Sequence, residues 1–340
     1  MKSAQIVNQV FKKNRTLSSA YPKQKKAVLF AFVFFVLLPV GASAISGEFG
    51  KYLPGMKKAF YFPDSSNYTV VFETTYGELN MNLDSAISCM LPAVIPADYE
   101  PEAIKAMAVL LRTQLLNVCE KQQVEAGFRK IYIEKKPYKK IYFTYPEQKL
   151  LYGEAYSDIH AIYRHAALET AGMYLQEEGK LANAGWFLVS NGATREGVSC
   201  EGDYKSENYY TEKVITRKEF QSILTKIYEE ENQASEVEMQ VEEICFMGIG
   251  ETVNFSVFLK NGSSTILTVS PEWFCEKFRL PSPFLEEVKE NGSDVTITVK
   301  GLGHGSGMSV FYANELAKKG NDFTEILNYF FTNFAIDKFE

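Results

Sequence analysis

Glu102–Leu116 reads EAIKAMAVLLRTQLL, with Pro101 directly before it. Apolar residues at Ala103, Ile104, Ala106, Met107, Ala108, Val109, Leu110, Leu111 and Leu115 are too dense for the single stripe of a surface helix, so the stretch predicts a helix buried on most sides. Pro101 suits its first turn, where a missing N–H leaves no hydrogen bond unmade. A helix of that kind needs other elements around it, and the flanking sequence supplies strands. Tyr68–Glu73 and Glu78–Leu83 are β-rich runs separated by Thr74–Gly77, the pattern of a hairpin. Tyr156–Thr170 predicts a second helix that stops before Gly172, followed by strands Met173–Gln176 and Trp186–Ser190 joined through Glu177–Gly179. Thr216–Glu230 reads as a surface helix with Thr216 as N-cap and Glu219 three residues on. Glu236–Phe246, Thr252–Leu259, Thr265–Val269, Phe284–Val288 and Val295–Val299 read as strands, with Asn261-Gly262 and Asn291-Gly292 as turn signals. No fixed-period repeat is visible. The expected class is α+β, a mixed domain over residues 67–340 with a buried central helix and several antiparallel strands.

The chain has 340 residues, 46% of them hydrophobic, and a net charge of −6. That balance argues against nucleic acid as a partner, because a phosphate backbone needs a basic surface. Residues 27–45, AVLFAFVFFVLLPVGASAI, carry no charge. As a helix they span ~28 Å, enough to cross a hydrocarbon core. Lys12, Lys13, Arg15, Lys23, Lys25 and Lys26 precede them and predict a cytoplasmic segment over 1–26, an anchor over 27–45, a stalk over 46–66 and an extracytoplasmic domain beyond. The competing reading is a cleaved signal peptide, with Ala42-Ser43-Ala44 as the processing site. Cys89, Cys119, Cys200, Cys245 and Cys275 form no C-x-x-C pair and read as small buried apolar residues, although an exported chain permits disulfides.

A second stretch carries chemistry. Gly301–Ala313 reads GLGHGSGMSVFYA and frames His304 with Gly301, Gly303, Gly305 and Gly307, ahead of a helix-like run through Ala317. Four glycines in seven residues are entropically costly and let a backbone or a ligand come close.

Pro96–Thr113, PADYEPEAIKAMAVLLRT, resembles a segment of the family of stage II sporulation protein D and the related amidase enhancer proteins, which runs Met-Pro-Ala, then Glu-Ala-Leu-Lys-Ala-Gln-Ala, then Ala-Arg-Thr. Glu102, Ala103, Lys105, Ala106, Ala108, Arg112 and Thr113 match it. GLGHGSGMSVFYA is similar to the family's Gly-x-Gly-His-Gly-Val-Gly-Met-Ser-Gln-Tyr-Gly-Ala, NGATRE at 191–196 loosely to its Ser-Gly-Gly-x-Thr-Glu, FRLPSPF at 278–284 to the piece before its last strands, and EILNYFF at 325–331 to its closing helix. The likeness covers residues 67–335 and includes the N-terminal anchor.

What the resemblance implies is a lytic transglycosylase acting on peptidoglycan glycan strands stripped of their stem peptides during forespore engulfment. In that chemistry a protonated carboxyl donates to the glycosidic oxygen, and the carboxylate then helps the sugar's 6-hydroxyl attack. The family's acid is a Glu directly before the Met-Pro. Here the stretch reads Ala93-Val94-Ile95-Pro96, so Val94 stands at a degenerate catalytic position. Asp98 is the candidate substitute acid if the backbone turns there; Glu100 and Glu102 lie further along. Val310 and Tyr312 replace the family's glutamine and glycine. The resemblance gives Arg112 as a residue for orienting a carboxylate or an acidic muramyl group, or else for a structural salt bridge. It gives Arg112 and His304 as catalytic residues, His304 bonding glycan or shaping the cleft or else being satisfied within its loop, and Ser309, Gly305, Gly307 and Thr194 as substrate-binding residues, with helix capping as the alternative for Ser309. No cofactor is expected. Cys200, His160 and His165 show no metal-site spacing, so no metal is expected either. The expected function is a membrane-anchored, catalytically degenerate glycan-binding protein that supports a sporulation amidase; the alternative is an active transglycosylase with a substitute acid.

Overall fold

The computed structural model describes residues 68–74, 77–121, 129–133, 141–232, 241–250 and 252–338. The expected cytoplasmic segment, anchor and stalk lie outside them, as do the first residues of the strand expected from Glu236. Among the described residues no helix is long and apolar enough to cross a membrane. The chain divides into two compact units, one drawn from the stretch up to Asp98 and from Gln122–Gly172, the other from Tyr99–Lys121 and Met173–Lys338.

In the first unit, β1 (Tyr68–Thr74) and β2 (Gly77–Asn82) form the expected hairpin, Val71 opposite Asn80. β1 also runs parallel to β3 (Arg129–Ile133), giving the order β2-β1-β3. Helix α1 (Leu83–Val94) follows β2 directly; Asn82 caps it by accepting from Ser85 N–H at 2.8 Å. Buried Leu83, Ala86, Ile87, Leu91 and Val94 line it.

The buried helix is α2 (Pro101–Lys121), in the second unit. Ala103, Ile104 and every residue from Ala106 to Leu110 are fully buried, as the density of apolar residues predicts. Lys105 reaches out to Glu102, 2.7 Å away. The first unit is completed by α3 (Tyr145–Tyr152), which opens on a Thr144 capping box, and α4 (Tyr156–Glu169), which packs on α1.

Polar side chains of α2 fasten the surrounding strands. Thr113 Oγ1 accepts from Leu175 N–H at 2.9 Å in β4 (Met173–Glu177), and Asn117 donates to Ala182 O at 2.8 Å. The sequence joins Met173–Gln176 to Trp186–Ser190 as neighbouring strands; the structure corrects this. The turn at Glu178 and Gly179, both at positive φ, returns β4 onto β5 (Lys180–Leu181). β6 (Trp186–Phe187) lies elsewhere.

Two larger sheets share one apolar core. β7 (Tyr210–Thr216) is a strand the sequence did not announce: its exposed face mixes Tyr210 and Val214 with Glu212 and Thr216, and only Ile215 of the other face is buried, so no clean alternation shows. Thr216 ends β7 and caps α5 (Arg217–Asn232), accepting from Glu219 N–H at 3.1 Å. β8 (Val241–Ile249), β9 (Val253–Leu259) and β10 (Ser264–Val269) are antiparallel in the order β10-β9-β8, with Gly262 at φ +82° in the turn. α6 (Pro271–Lys277) then leads to β11 (Phe284–Asn291) and β12 (Asp294–Lys300), sheet order β11-β12-β7. Phe220, Leu224 and Ile227 of α5 pack among Phe255, Phe274, Phe278, Val295 and Ile297 in that core. The chain closes through β13 (Met308–Ser309), α7 (Val310–Lys318), α8 (Phe323–Phe330) and β14 (Ala335–Lys338), the last pairing with β4. The α+β class is confirmed as several small, mostly antiparallel sheets with helices.

Candidate functional site

The glycine-framed loop takes its shape from the segment it lies against. Met308 and Ser309 of β13 run parallel to Trp186 and Phe187 of β6, and Leu302 N–H donates to Val189 O at 2.7 Å. Backbones this close leave no room for side chains. A Cβ on Gly301 would sit 2.7 Å from Val189 O, on Gly303 2.8 Å from Phe187 Cβ, and on Gly307 2.1 Å from Gly185 O. A Cβ on Gly305 would meet the Phe284 ring at 2.5 Å. All four glycines hold positive φ, between +77° and +110°. The close approach that the sequence allowed for either a backbone or a ligand is made here by the protein's own backbone and by Phe284. Gly305 and Gly307 are themselves buried, pressed against Phe284 and Gly185.

His304 remains exposed. Its ring lies 6.0 Å from that of Phe187, and Nδ1 accepts from the Ser306 N–H at 3.1 Å. The neighbouring turn, Asn191–Glu196, grips the loop from the side. Arg195 N–H donates to Gly305 O at 2.8 Å, and its Nε donates to His304 O at 2.7 Å. The guanidinium stands 5.7 Å from the Phe284 ring centre and pairs with Glu272 at 2.7 Å. Glu196 accepts from Ser306 Oγ and, at 3.1 Å, from Gly307 N–H. Burial pushes the Glu196 carboxyl up, but hydrogen bonds from Ser306, from the Gly307 and Glu196 amides and from Thr194 outweigh it, and the group lies below the ordinary carboxylate value. Arg195 and Glu196 were not among the residues singled out from the sequence. The acidic end of NGATRE, matching the family's Glu, was the available signal.

Three further candidates are buried. Ser309 is fully buried, caps α7 by accepting from Tyr312 N–H at 3.2 Å, the capping alternative, and donates to Asp203 Oδ2 at 2.7 Å. Thr194 is buried and closes its own turn, its Oγ1 accepting from Val198 N–H at 3.2 Å. Arg112 is fully buried and donates to Met173 O at 2.8 Å. Behind the loop, fully buried Asp203 also accepts from Ser190 N–H at 2.6 Å, and burial raises its pKa despite these bonds. Val310 and Tyr312 are buried too, Tyr312 packing beside Tyr329 with ring centres 5.7 Å apart.

Val94 and Asp98 belong to the first unit. Val94 ends α1 with 7% of its surface exposed, and Ile95 beside it is buried, its carbonyl accepting from Tyr163 Oη at 2.7 Å. The backbone does turn at Ala97–Asp98, leaving Asp98 exposed. Glu102, in the second unit, is occupied: besides Lys105 it accepts from Phe323 N–H at 3.0 Å.

Among the described residues no group of three or more His, Cys, Asp or Glu side chains is arranged to hold a metal. His160 is buried with Nδ1 3.1 Å from Gln148 Oε1, whereas His165 pairs with Glu169 on the surface. All five cysteines are free thiols, and burial pushes Cys89, Cys200 and Cys275 up to about 12, which keeps them protonated and unreactive.

Residues 76–176 match the sequence profile of a family described as Stage II sporulation protein. The chain is similar to the Stage II sporulation protein D of Bacillus subtilis (strain 168), 26% identical over 274 residues that cover 76% of this chain and 75% of that protein. It is similar at 25% identity to the Stage II sporulation protein D of Bacillus amyloliquefaciens, with the same shares of each chain covered.

Proposed function

The chain belongs to the stage II sporulation protein D family, and from that premise we propose that it is a membrane-anchored protein of peptidoglycan remodelling in sporulation that holds glycan strands without cutting them. The observation that carries this reading is Val94, an apolar, nearly buried side chain where the family resemblance expects the proton-donating carboxyl. Glycosidic cleavage through an anhydro product needs that proton, and loss of a positioned general acid alone costs ~10²–10⁴-fold in rate. Other carboxyls are poor replacements. Glu102 is tied to Lys105 and Phe323, and Glu196 lies below its ordinary value, so it is ionised and has no proton to give. Asp98 is exposed on its turn rather than enclosed by apolar side chains.

What remains suits binding. His304, on a loop whose backbone is fixed by glycine packing, and Glu196 and Arg195 on the turn beside it offer exposed polar groups. In this reading the apolar residues 27–45 tether the chain, and a sporulation amidase is the protein partner it supports. The full-length chain in detergent, incubated with peptide-stripped glycan strands, is expected to retain the strands in a pull-down and to leave no anhydro-muramyl ends by mass spectrometry. Appearance of those ends overturns the non-cutting reading. The turn at Ala97–Asp98 favours one alternative, cleavage with Asp98 as substitute acid, in which any ends formed disappear in Asp98→Asn.

A further inference from the structure

Glu196 and His304 do not touch, yet the hydrogen bonds between them form a continuous path. The Ser306 N–H points at His304 Nδ1, 3.1 Å away. A neutral imidazole has one donor and one acceptor nitrogen, so an Nδ1 that accepts places the proton on Nε2. Ser306 is itself held by Glu196, whose Oε1 takes the Ser306 hydroxyl while Oε2 takes the next amide, Gly307 N–H, at 3.1 Å. One carboxylate thus fixes two consecutive residues of the loop, and the first of them presents its amide to the imidazole. Across the loop, Arg195 holds the carbonyls of His304 and Gly305, so the backbone on both sides of the ring is pinned. The glycines that permit these approaches, at 303, 305 and 307, cannot direct the ring, because they have no side chains to do so.

We propose that Glu196 is a positioning residue that acts through Ser306 to hold the exposed His304 in its Nε2–H form, presenting a fixed N–H donor to an acceptor oxygen of a bound sugar. The nature of the ligand rests on the glycan-binding reading above; the link between Glu196 and His304 stands on the geometry alone. It assigns distinct work to the two residues: the imidazole meets the ligand, and the carboxylate, already accepting from Ser306 and Gly307, orders the imidazole.

The test uses the fact that the chain has only three histidines. Full-length protein labelled with ¹⁵N in histidine and held in detergent is examined by long-range ¹H–¹⁵N NMR at neutral pH, where the two ring nitrogens of each tautomer are distinct. The wild type is expected to show His304 in the Nε2–H form. Glu196→Ala is expected to disperse that signal into a mixture of tautomers and to weaken binding of stripped glycan strands by about tenfold, the equivalent of ~1.4 kcal/mol. Glu196→Gln, whose amide oxygen can accept from Gly307 N–H while its NH2 donates to Ser306 Oγ, is expected to restore the wild-type pattern. A cooperative urea transition reports whether each variant is folded, and should Glu196→Ala fail to fold, Ser306→Ala, which removes the Ser306–Glu196 bond from its other end, is expected to show the same dispersion. A His304 signal that keeps its wild-type form in folded Glu196→Ala overturns the proposal, as does a dispersed tautomer with unchanged glycan affinity. A wild type with ordered His304 but no affinity for glycan brings down the glycan-binding reading and leaves the positioning role supported.

Discussion

Gly307 has two separate reasons to be glycine, and they can be measured apart. Its φ of +86° strains any L side chain, and its Cβ site lies 2.1 Å from Gly185 O, where neither backbone has freedom to withdraw. Gly320, at φ +94°, has nothing within 4 Å of its Cβ site. Gly320→Ala is therefore expected to cost only the backbone strain, ~1–2 kcal/mol. Gly307→Ala adds overpacking and is expected to cost ~3 kcal/mol or more. Urea denaturation of the two variants decides; equal costs would mean that the loop is not pressed on Gly185. The sequence made the spacing of these glycines legible but not its meaning, since close approach to a ligand and to a backbone require the same missing side chain. Asp203 was invisible in the sequence for a related reason: only the fold shows that an acidic residue in EGDYK is fully buried against Ser190 and Ser309. Burial raises its pKa from the ordinary 3.8. A carboxyl whose folded pKa is raised contributes most at low pH and loses that contribution as pH rises through the folded value. Asp203→Asn, whose amide oxygen can still accept from Ser190 and Ser309, is thus expected to gain on the wild type as pH rises from 4 to 8. Parallel urea midpoints for both proteins across that range check it, and a difference that is flat or that moves in favour of the wild type sinks the argument.

Thr216 and Glu219 made the start of α5 legible, whereas α8 was expected only from the family resemblance at 325–331 and its cap went unread. α8 begins with Asp322 accepting from the Thr324 and Glu325 amides at 2.8 and 2.9 Å, while Glu325 accepts in return from Asp322 N–H at 3.0 Å. Such a reciprocal box can be read from the sequence, and removing its first member is expected to cost ~1–2 kcal/mol. The hydrogen bond from Thr324 holds the Asp322 carboxyl below its ordinary value, with the Glu325 amide adding to it. The cap's contribution is therefore present at neutral pH and lost as pH falls through the folded pKa. Asp322→Ala should accordingly lower the thermal midpoint at pH 7, with the gap to the wild type closing in strong acid; a gap that stays constant with pH would deny the cap its charge. α1 escaped sequence reading because Pro92 looks like a helix stop. In the structure Pro92 lies inside α1, where it cannot donate to the carbonyl of Ser88; the Gln148 amide lies 3.5 Å from that oxygen. β6 was expected within Trp186–Ser190, but its short length and its partner β13 were illegible for another reason. Two residues each are too few for an alternating pattern, and their pairing is set by the glycines and the buried Asp203 around them.

For the molecule as a whole, the family could be read from two segments some 200 residues apart, whereas the proposed loss of cutting turns on one position, Val94. Its side chain ends α1 with 7% exposure beside buried Ile95 and Leu91. A carboxyl placed there by Val94→Glu would be desolvated, and desolvation raises the pKa of an acid. That is the condition a glycosidase general acid requires, and it also has a cost. The variant is expected to match the wild type's stability below about pH 4, where the new group is neutral in both folded and unfolded chains, and to fall behind by ~1–3 kcal/mol as pH rises through the raised folded value. If the lost acid is all that separates this chain from a cutting enzyme, folded Val94→Glu should release anhydro-muramyl ends from stripped glycan strands at least ~10²-fold faster than the wild type, because a positioned general acid contributes ~10²–10⁴-fold. The rate should decline at high pH as the new carboxyl ionises, which separates acid catalysis from a contaminating hydrolase. A variant that folds, binds glycan and shows the expected pH-dependent stability but forms no anhydro ends would mean that more than the acid at position 94 separates this chain from a cutting enzyme.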